Sequence, residues 1–348
     1  MIASLVNFVV SIGIGLFLTP YVVHNIGAEA YGFVGLASTF VGYAQLFTVA
    51  LTSVAGRFIT VAYHEGNELK ANRYYSSTLA ANAVMVFALT IIAIPVILFL
   101  DKLVNISPHL VGDVKMLFTF IFLQFVITTI STVYSVATFV KNKLYLSSIA
   151  NLVFSFVRVA VMVVLFGMLP PKVCYVGLAV CLASAVLTIM NRFYTRVLLP
   201  DISFRWNLVS WASVREMLEA GIWNVVTKLQ QIMMFGLQLL VANLMVSPYL
   251  MGMLSVAQTV PNQISSLTIT VASLFYPEQT KYYAQGKRDE LVDDIKSGMK
   301  VSGFFTNIVF VVLLVVGYDF MRLWQHGQDT TLLYELLTLT MLGLLASG

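Results

Sequence analysis

The chain has 348 residues, 59% of them hydrophobic and only 10% charged, with a mean hydropathy of +0.88. A soluble domain carries about 25% charged residues, so a single aqueous core cannot hold this many apolar side chains and lipid must solvate many of them. The net charge of +4 is no nucleic-acid signal, because where the basic residues fall matters more than their sum.

The N-terminus lacks a basic leader and its apolar run is long, so it reads as a first membrane span and not a cleaved signal peptide. That span runs from Ser4 to Val23, with Pro20 as a candidate kink. A polar break, His24 to Gly32, separates it from a second span over Gly32 to Gly56. There Gly35 and Gly42 stand one heptad apart, a spacing that suits close helix packing. The polar segment from Arg57 to Ser77 follows. Further apolar runs cover Thr78–Leu100, Val114–Phe139, Tyr145–Leu169 and Val173–Tyr194. The third of these ends at Pro170-Pro171. Cys174 and Cys181 share one face of the last, about 10 Å apart and too far for a disulfide.

The longest soluble-looking piece, Thr195 to Ala220, has Trp211, Val214 and Leu218 at helical spacing. It predicts a short interfacial amphipathic helix over Leu208 to Leu218. Spans over Gly221–Val246 and Tyr249–Phe275 come next, the second containing Pro261. A charged segment, Pro277 to Lys300, precedes a ninth span over Val301–Tyr318, and a tenth begins near Leu332.

The layout of residues 7–66 returns downstream. Asn7 pairs with Asn224, Gly32 with Gly252, Phe58 with Phe275 and Gly66 with Gly286, at offsets of 217 to 220. A long-period repeat in an apolar chain points to a transporter built from two related halves. The expected organisation is all-α and polytopic, with about ten transmembrane helices in two pseudo-repeated bundles. Residues 1–195 form a six-helix bundle, 196–220 a cytoplasmic linker with the amphipathic helix, and 221–348 an incomplete four-helix bundle. Of the 20 Lys and Arg, a cytoplasmic N-terminus puts 14 on inner segments and 4 on outer ones, leaving Arg158 and Lys228 within spans. The positive-inside rule therefore orients the N-terminus to the cytoplasm.

Polar residues enter the spans in stripes. Asn224, Lys228, Gln231 and Gln238 fall on one helix face, and Ser255, Gln258, Asn262 and Ser265 on a similar one. The second span carries Ser38, Gln45, Thr48 and Thr52, and the fifth Asn151, Ser155 and Arg158. Each residue alone fits an ordinary interhelical hydrogen bond, worth about 0.6 kcal/mol. Together the stripes favour a wetted central cavity. Arg158 is deepest, where a charge costs at least about 2.5 kcal/mol. No Asp or Glu occurs within the first nine spans as drawn, Asp319 lying just beyond the ninth. The alternative for Arg158 is a structural arginine bonded to carbonyls, and for Lys228 a side chain snorkelling to the interface.

Other chemistry is sparse. Gly13-x-Gly15 follows no strand and lacks the Lys-Ser/Thr of a phosphate loop, so it reads as helix packing. His24, His64, His109 and His326 sit singly in different loops, which argues against a metal site. Asn105-Ile106-Ser107 matches a glycosylation sequon followed by Pro108, and carries little weight. Met233, Met234 and Met245 read as span filler.

Gly13-x-Gly15, the string Asn25-Ile26-Gly27-Ala28-Glu29-Ala30-Tyr31-Gly32, and Arg57 opening a loop with Gly66-Asn67 resemble the polysaccharide-biosynthesis flippases. These form the O-antigen flippase group of the multidrug/oligosaccharidyl-lipid/polysaccharide (MOP) exporter superfamily. The resemblance covers essentially the whole chain. It implies about twelve to fourteen spans in two bundles, and so a chain whose end is missing. It also implies a bacterial inner-membrane protein, no enzyme and without cofactor or metal, moving an undecaprenyl-pyrophosphate-linked glycan between leaflets. Membrane lipids and other polysaccharide-assembly proteins are the implied partners. A multidrug or cation antiporter of the same superfamily is the alternative, weakened because the first six spans hold no carboxylate for ion coupling. A membrane glycan polymerase or acyltransferase ranks third, because no acid, base or nucleophile gathers in a large loop. The residues expected to line the cavity are Arg158, Lys228, Asn224, Gln231, Gln238, Gln258, Asn262, Gln45 and Asn151.

Overall fold

The computed structural model describes residues 2–273, 275, 278–279, 282–283 and 285–347, with 2–9, 11, 235, 273 and 345–347 described by backbone alone. The Asn7 side chain, Leu274, Pro277 at the start of the expected charged segment, and the basic Lys281 lie outside the described residues. The described residues contain helices and turns and no strand. In chain order the helices are α1 (Ile2–His64), α2 (Glu68–Leu98), α3 (Leu100–Leu103), α4 (Val111–Ser131), α5 (Val136–Val140), α6 (Leu144–Met168) and α7 (Cys174–Leu198). They continue with α8 (Trp211–Gln231), α9 (Leu237–Met245), α10 (Pro248–Ala257), α11 (Thr259–Ser273), α12 (Arg288–Trp324) and α13 (Thr330–Ser347). Among the described residues, seven helical stretches are long and apolar enough to cross a membrane. Counting the two arms of α1 separately, and adding α10–α11 and α13, recovers the ten apolar segments expected from the sequence.

Where helix boundaries differ from expectation, local chemistry gives the reason. The first two spans are one long helix that bends at Gly27, whose φ of 83° and ψ of 159° are open to glycine and strained for other residues. The polar break before Gly32 is thus a kink and not a loop. The segment expected to be polar from Arg57 onwards stays helical to His64. It stops at Gly66, and the next helix begins at Glu68 behind the Asn67 cap, whose Oδ1 accepts from Lys70 N at 2.9 Å. The fourth span is interrupted. Thr128 Oγ1 donates to Gln124 O, Ser131 Oγ and Thr132 Oγ1 to Thr128 O, and Ser135 Oγ to Thr132 O. Hydroxyls bonded back to carbonyls one turn earlier compete with the helix ladder and bend it. Thr132–Ser135 accordingly form a 3₁₀ turn between α4 and α5.

The helix expected over 208–218 begins at Trp211 and is no separate interfacial piece. It runs through α8 and a π segment at Ile232–Gly236 into α9. The eighth span breaks at Gln258 between α10 and α11, where Pro261 cannot donate to the carbonyl of Ala257. The ninth continues past Tyr318 to Trp324, so Asp319 lies inside α12 and not beyond it.

The two turns paired by the repeat have the same hydrogen bonds. Gly66 N donates to Tyr63 O (3.1 Å) and Asn67 N to Ala62 O (3.1 Å). Gly286 N donates to Tyr283 O (3.1 Å) and Lys287 N to Tyr282 O (3.0 Å). Both are Schellman closures with the glycine at positive φ, 73° and 70°.

Contacts divide the chain into two compact units, residues 1–14 with 33–251, and 15–32 with 252–348. This grouping by contact differs from the 1–195, 196–220 and 221–348 division read from the repeat, because α8 and α9 pack with the first group. In the larger unit α7 packs on both α4 and α6, and α2 packs on α4 and α8. Its loops gather at two ends. Lys141 Nζ donates to Tyr63 OH (2.6 Å), joining the 140–144 turn to the 64–68 turn. Residues 199–210 dock there as a strap on α2. Buried Asn72 donates to Asp201 O and accepts from Ser203 N, while Ser76 and Ser77 accept from Arg205 N and Ser210 N. At the other end Lys172 pairs with Asp113, and Asn105 with Asn243 through three hydrogen bonds of 2.8–2.9 Å. The amide of the sequon asparagine is therefore committed to a neighbouring helix. In the smaller unit α11, α12 and α13 pack together, and Trp324 Nε1 donates to Leu16 O (2.7 Å).

Candidate functional site

The site is built where α8 lies against the second arm of α1. Asn224 Nδ2 donates to Ser53 Oγ at 2.9 Å. Gly221 lies against Ala50, Gly42 meets Ile232, and Gly236 meets Thr39. The chain numbers run in opposite directions along this seam, so the two helices are antiparallel. Contact is closest at Gly221, where a Cβ would overlap the carbonyl oxygen of Ala50. The π segment begins one turn after Lys228. Such wide turns re-aim side chains and recur at functional sites.

Between Asn224 and Ile232, Lys228 enters a cleft of about 190 Å³. From α1 come Gln45, Thr48, Val49 and Thr52, spaced to share one helix face. From α4 and the 3₁₀ turn after it come Thr128, Thr129 and Thr132. Lys228 is the only charged side chain in this lining.

The hydroxyls are not equivalent to free donors. Thr52 Oγ1 donates to Thr48 O (3.0 Å), Thr128 Oγ1 to Gln124 O (2.9 Å) and Thr132 Oγ1 to Thr128 O (2.9 Å). A hydroxyl has one proton and two lone pairs, so these three threonines keep acceptor capacity after their protons are used. Lys228 supplies up to three donors and a positive charge, and Gln45 supplies a two-sided amide. The arrangement suits a ligand that is anionic at one point and rich in hydroxyl donors elsewhere. Being largely uncharged, it offers a bare organic cation little.

Of the residues expected to line a cavity, Gln45 and Lys228 meet here. Asn224 is one turn away and bonded to Ser53. Gln231 and Gln238 are exposed on α8 and α9. Asn151 Nδ2 donates to Ser147 O (3.0 Å) within α6. Arg158, half-buried, sits two turns further along α6 and is not among the residues lining this cleft. At about 100° per residue, Asn151 and Arg158 fall beside the buried Ser148, Ser155 and Met162, opposite the exposed Ile149, Phe156 and Val163. Gln258 and Asn262 belong to the smaller unit, the first buried at the α10–α11 break and the second exposed. Thr128, Thr129 and Thr132 went unnoticed in the sequence. The only signal was a density of hydroxyls, Thr128-Thr129 and Ser131-Thr132, near the end of an apolar run.

No family model matches the chain. A relative from Bacillus subtilis (strain 168), "Uncharacterized membrane protein EpsK", is 30% identical over 330 residues, which cover 95% of this chain. The chain spans 65% of that relative's length. Among solved structures, the inward-facing conformation of a multidrug resistance MATE family transporter of the MOP superfamily superposes with a TM-score of 0.73 at 14% identity. It covers 96% of this chain and 76% of its own. The MATE multidrug transporter DinF-BH superposes with a TM-score of 0.71 at 15% identity, covering 95% and 74%. The chain has the fold of the MOP-superfamily transporters. The polytopic, all-helical architecture expected from the resemblance is thereby found.

Proposed function

We propose that this chain belongs to a transporter that moves a lipid-linked oligosaccharide with a pyrophosphate linkage across the bacterial inner membrane, its N-terminus in the cytoplasm. The observation that carries this reading is the Lys228 cleft: one fixed cation, a cluster of threonine acceptors and an amide, with no carboxylate in the lining. A pyrophosphate crossing a low-dielectric region needs a cation to offset its desolvation. Sugar hydroxyls need acceptors, and the threonines supply them without adding charge. The 30% likeness to EpsK and the MOP-type fold agree with a membrane transporter.

Multidrug transport is the second reading, favoured by the neighbours of this fold. Binding a cationic drug calls for a negative or carboxylate-bearing pocket, and the cleft offers neither. Reconstitution into liposomes with a fluorescent polyprenyl-pyrophosphate disaccharide separates the two. Faster loss of inner-leaflet fluorescence to an impermeant quencher is expected with the glycolipid, and no uptake of a cationic rhodamine dye. Uptake of the dye without movement of the glycolipid would reverse the assignment.

A further inference from the structure

A second cleft lies away from Lys228, at the end of the larger unit that carries the 64–68 turn. It measures about 260 Å³, and its charged and polar lining is Arg57 from α1, Lys70 and Tyr74 from α2, and Glu216 from α8, with Phe58 and Val61 as its apolar wall. The Arg57 guanidinium sits 5.6 Å from the Phe58 ring centroid and has no carboxylate partner among the described residues. Lys70 is held at 3.4 Å by Glu65, a half-exposed contact of the kind that contributes little. Tyr74 OH donates to Glu216 Oε2 at 2.8 Å, which fixes the carboxylate and leaves Oε1 for another donor.

The charges are therefore separated. Two cations enter from α1 and α2, and one anchored carboxylate enters from α8. A plain anion would satisfy the first group and be repelled by the second. A plain cation would meet the reverse. A zwitterion with a phosphate and an ammonium group satisfies both.

The position indicates the source. Arg57 ends an apolar run, Lys70 and Tyr74 precede the next, and Glu216 precedes the third, so the cleft lies where three spans meet their polar ends. Val61 and Leu69 at the cleft are exposed, as are Trp206 on the strap and Trp211 at the start of α8. Tryptophan at this level marks the boundary between acyl chains and headgroups. We propose that this cleft binds the headgroup of a phospholipid bearing a primary amine, phosphatidylethanolamine, with its phosphate on Arg57 and Lys70 and its ammonium on Glu216. The bound lipid would join α8 to the α1–α2 turn from the bilayer side.

The test uses the full chain in nanodiscs or mixed micelles, with retained lipid counted by native mass spectrometry. The wild type should keep phosphatidylethanolamine about tenfold better than phosphatidylglycerol, which lacks the amine, or phosphatidylcholine, whose quaternary nitrogen has no proton to donate. Arg57→Gln should lose that retention, and Arg57→Lys should keep part of it. Glu216→Gln keeps an oxygen for Tyr74 and should shift preference to phosphatidylglycerol. Melting temperatures without added lipid check that each variant is folded. Equal retention of the three lipids by the wild type, or unchanged retention in both folded variants, would overturn the proposal. So would stabilisation by inorganic phosphate or soluble phosphoethanolamine with none from the lipid.

Discussion

Lys228 and Arg158 carry the same charge inside apolar helices and have different surroundings. Lys228 enters a cleft whose other lining is uncharged and mostly hydroxyl, held open between α1, α4 and α8. Arg158 lies on α6, a helix whose main packing partner is α7, and stays half-buried on the side opposite the exposed Phe156 and Val163. Depth in the sequence ranks Arg158 first, because a charge near mid-span is the costliest to keep. Surroundings rank Lys228 first, because a cation acts on cargo only where acceptors and space accompany it. The difference teaches that the cost of a buried charge marks a residue for attention without saying what it touches.

The strongest way to break the comparison is to move α8 and leave α6 alone. Gly221→Ala would drive a Cβ into the carbonyl oxygen of Ala50, and backbone cannot yield as a side-chain tip does. The helices must part, at a cost of about 1–3 kcal/mol and more if the seam cannot repack. Transport should fall to background and the melting temperature should drop. A variant with normal transport would show that the α1–α8 seam does not shape the site. Next comes the charge itself. On the proposed reading, Lys228→Gln removes a charge-assisted hydrogen bond to the pyrophosphate worth about 1.5–3 kcal/mol, which corresponds to a roughly 10- to 100-fold loss of glycolipid transport. Membrane insertion and melting temperature should stay near wild type. Arg158 supplies the counter-test. If Arg158 serves the cargo, Arg158→Ala should cut transport by about tenfold and Arg158→Lys should recover part of it, since the charge survives and the two-pronged geometry does not. If Arg158→Ala cuts transport more than Lys228→Gln with both proteins folded, depth is the better guide and the cargo path runs along α6.

Much of the fold was legible because its signals are local. The ten apolar segments follow from composition alone. Gly27, Gly66, Gly286 and Pro261 each mark a kink or a turn, because each backbone geometry suits one residue type. Gln45 and Lys228 were visible as polar residues in apolar runs. What stayed hidden depends on contacts between distant residues. Asn72, Ser76 and Ser77 look like ordinary polar residues before a span. Only the return of the chain at Asp201 to Ser210 makes them the hydrogen-bond partners of a strap. The amphipathic pattern over 208–218 was real, but periodicity cannot show that α8 continues unbroken into the span behind it. Thr128, Thr129 and Thr132 were hidden for a different reason. Threonine in an apolar helix commonly bonds to its own backbone, and these largely do. What they can offer a ligand is the lone pairs left over.

That leftover capacity gives the smallest expected effect. Thr52→Val and Thr132→Val each remove one hydroxyl and keep the branched shape. In both residues the proton is bonded to a carbonyl on the same helix, so the change to the fold should be slight. An uncharged hydrogen bond contributes about 0.5–1.5 kcal/mol, so each variant should slow glycolipid transport by roughly 2- to 10-fold. The sharper readout is specificity. If the threonines accept from sugar hydroxyls, the loss should appear with a glycan-bearing substrate and vanish with polyprenyl pyrophosphate lacking the glycan. Lys228→Gln, by contrast, should slow both substrates alike. Equal slowing of the two substrates by Thr52→Val would mean that the hydroxyls only shape the helices and accept nothing from the glycan.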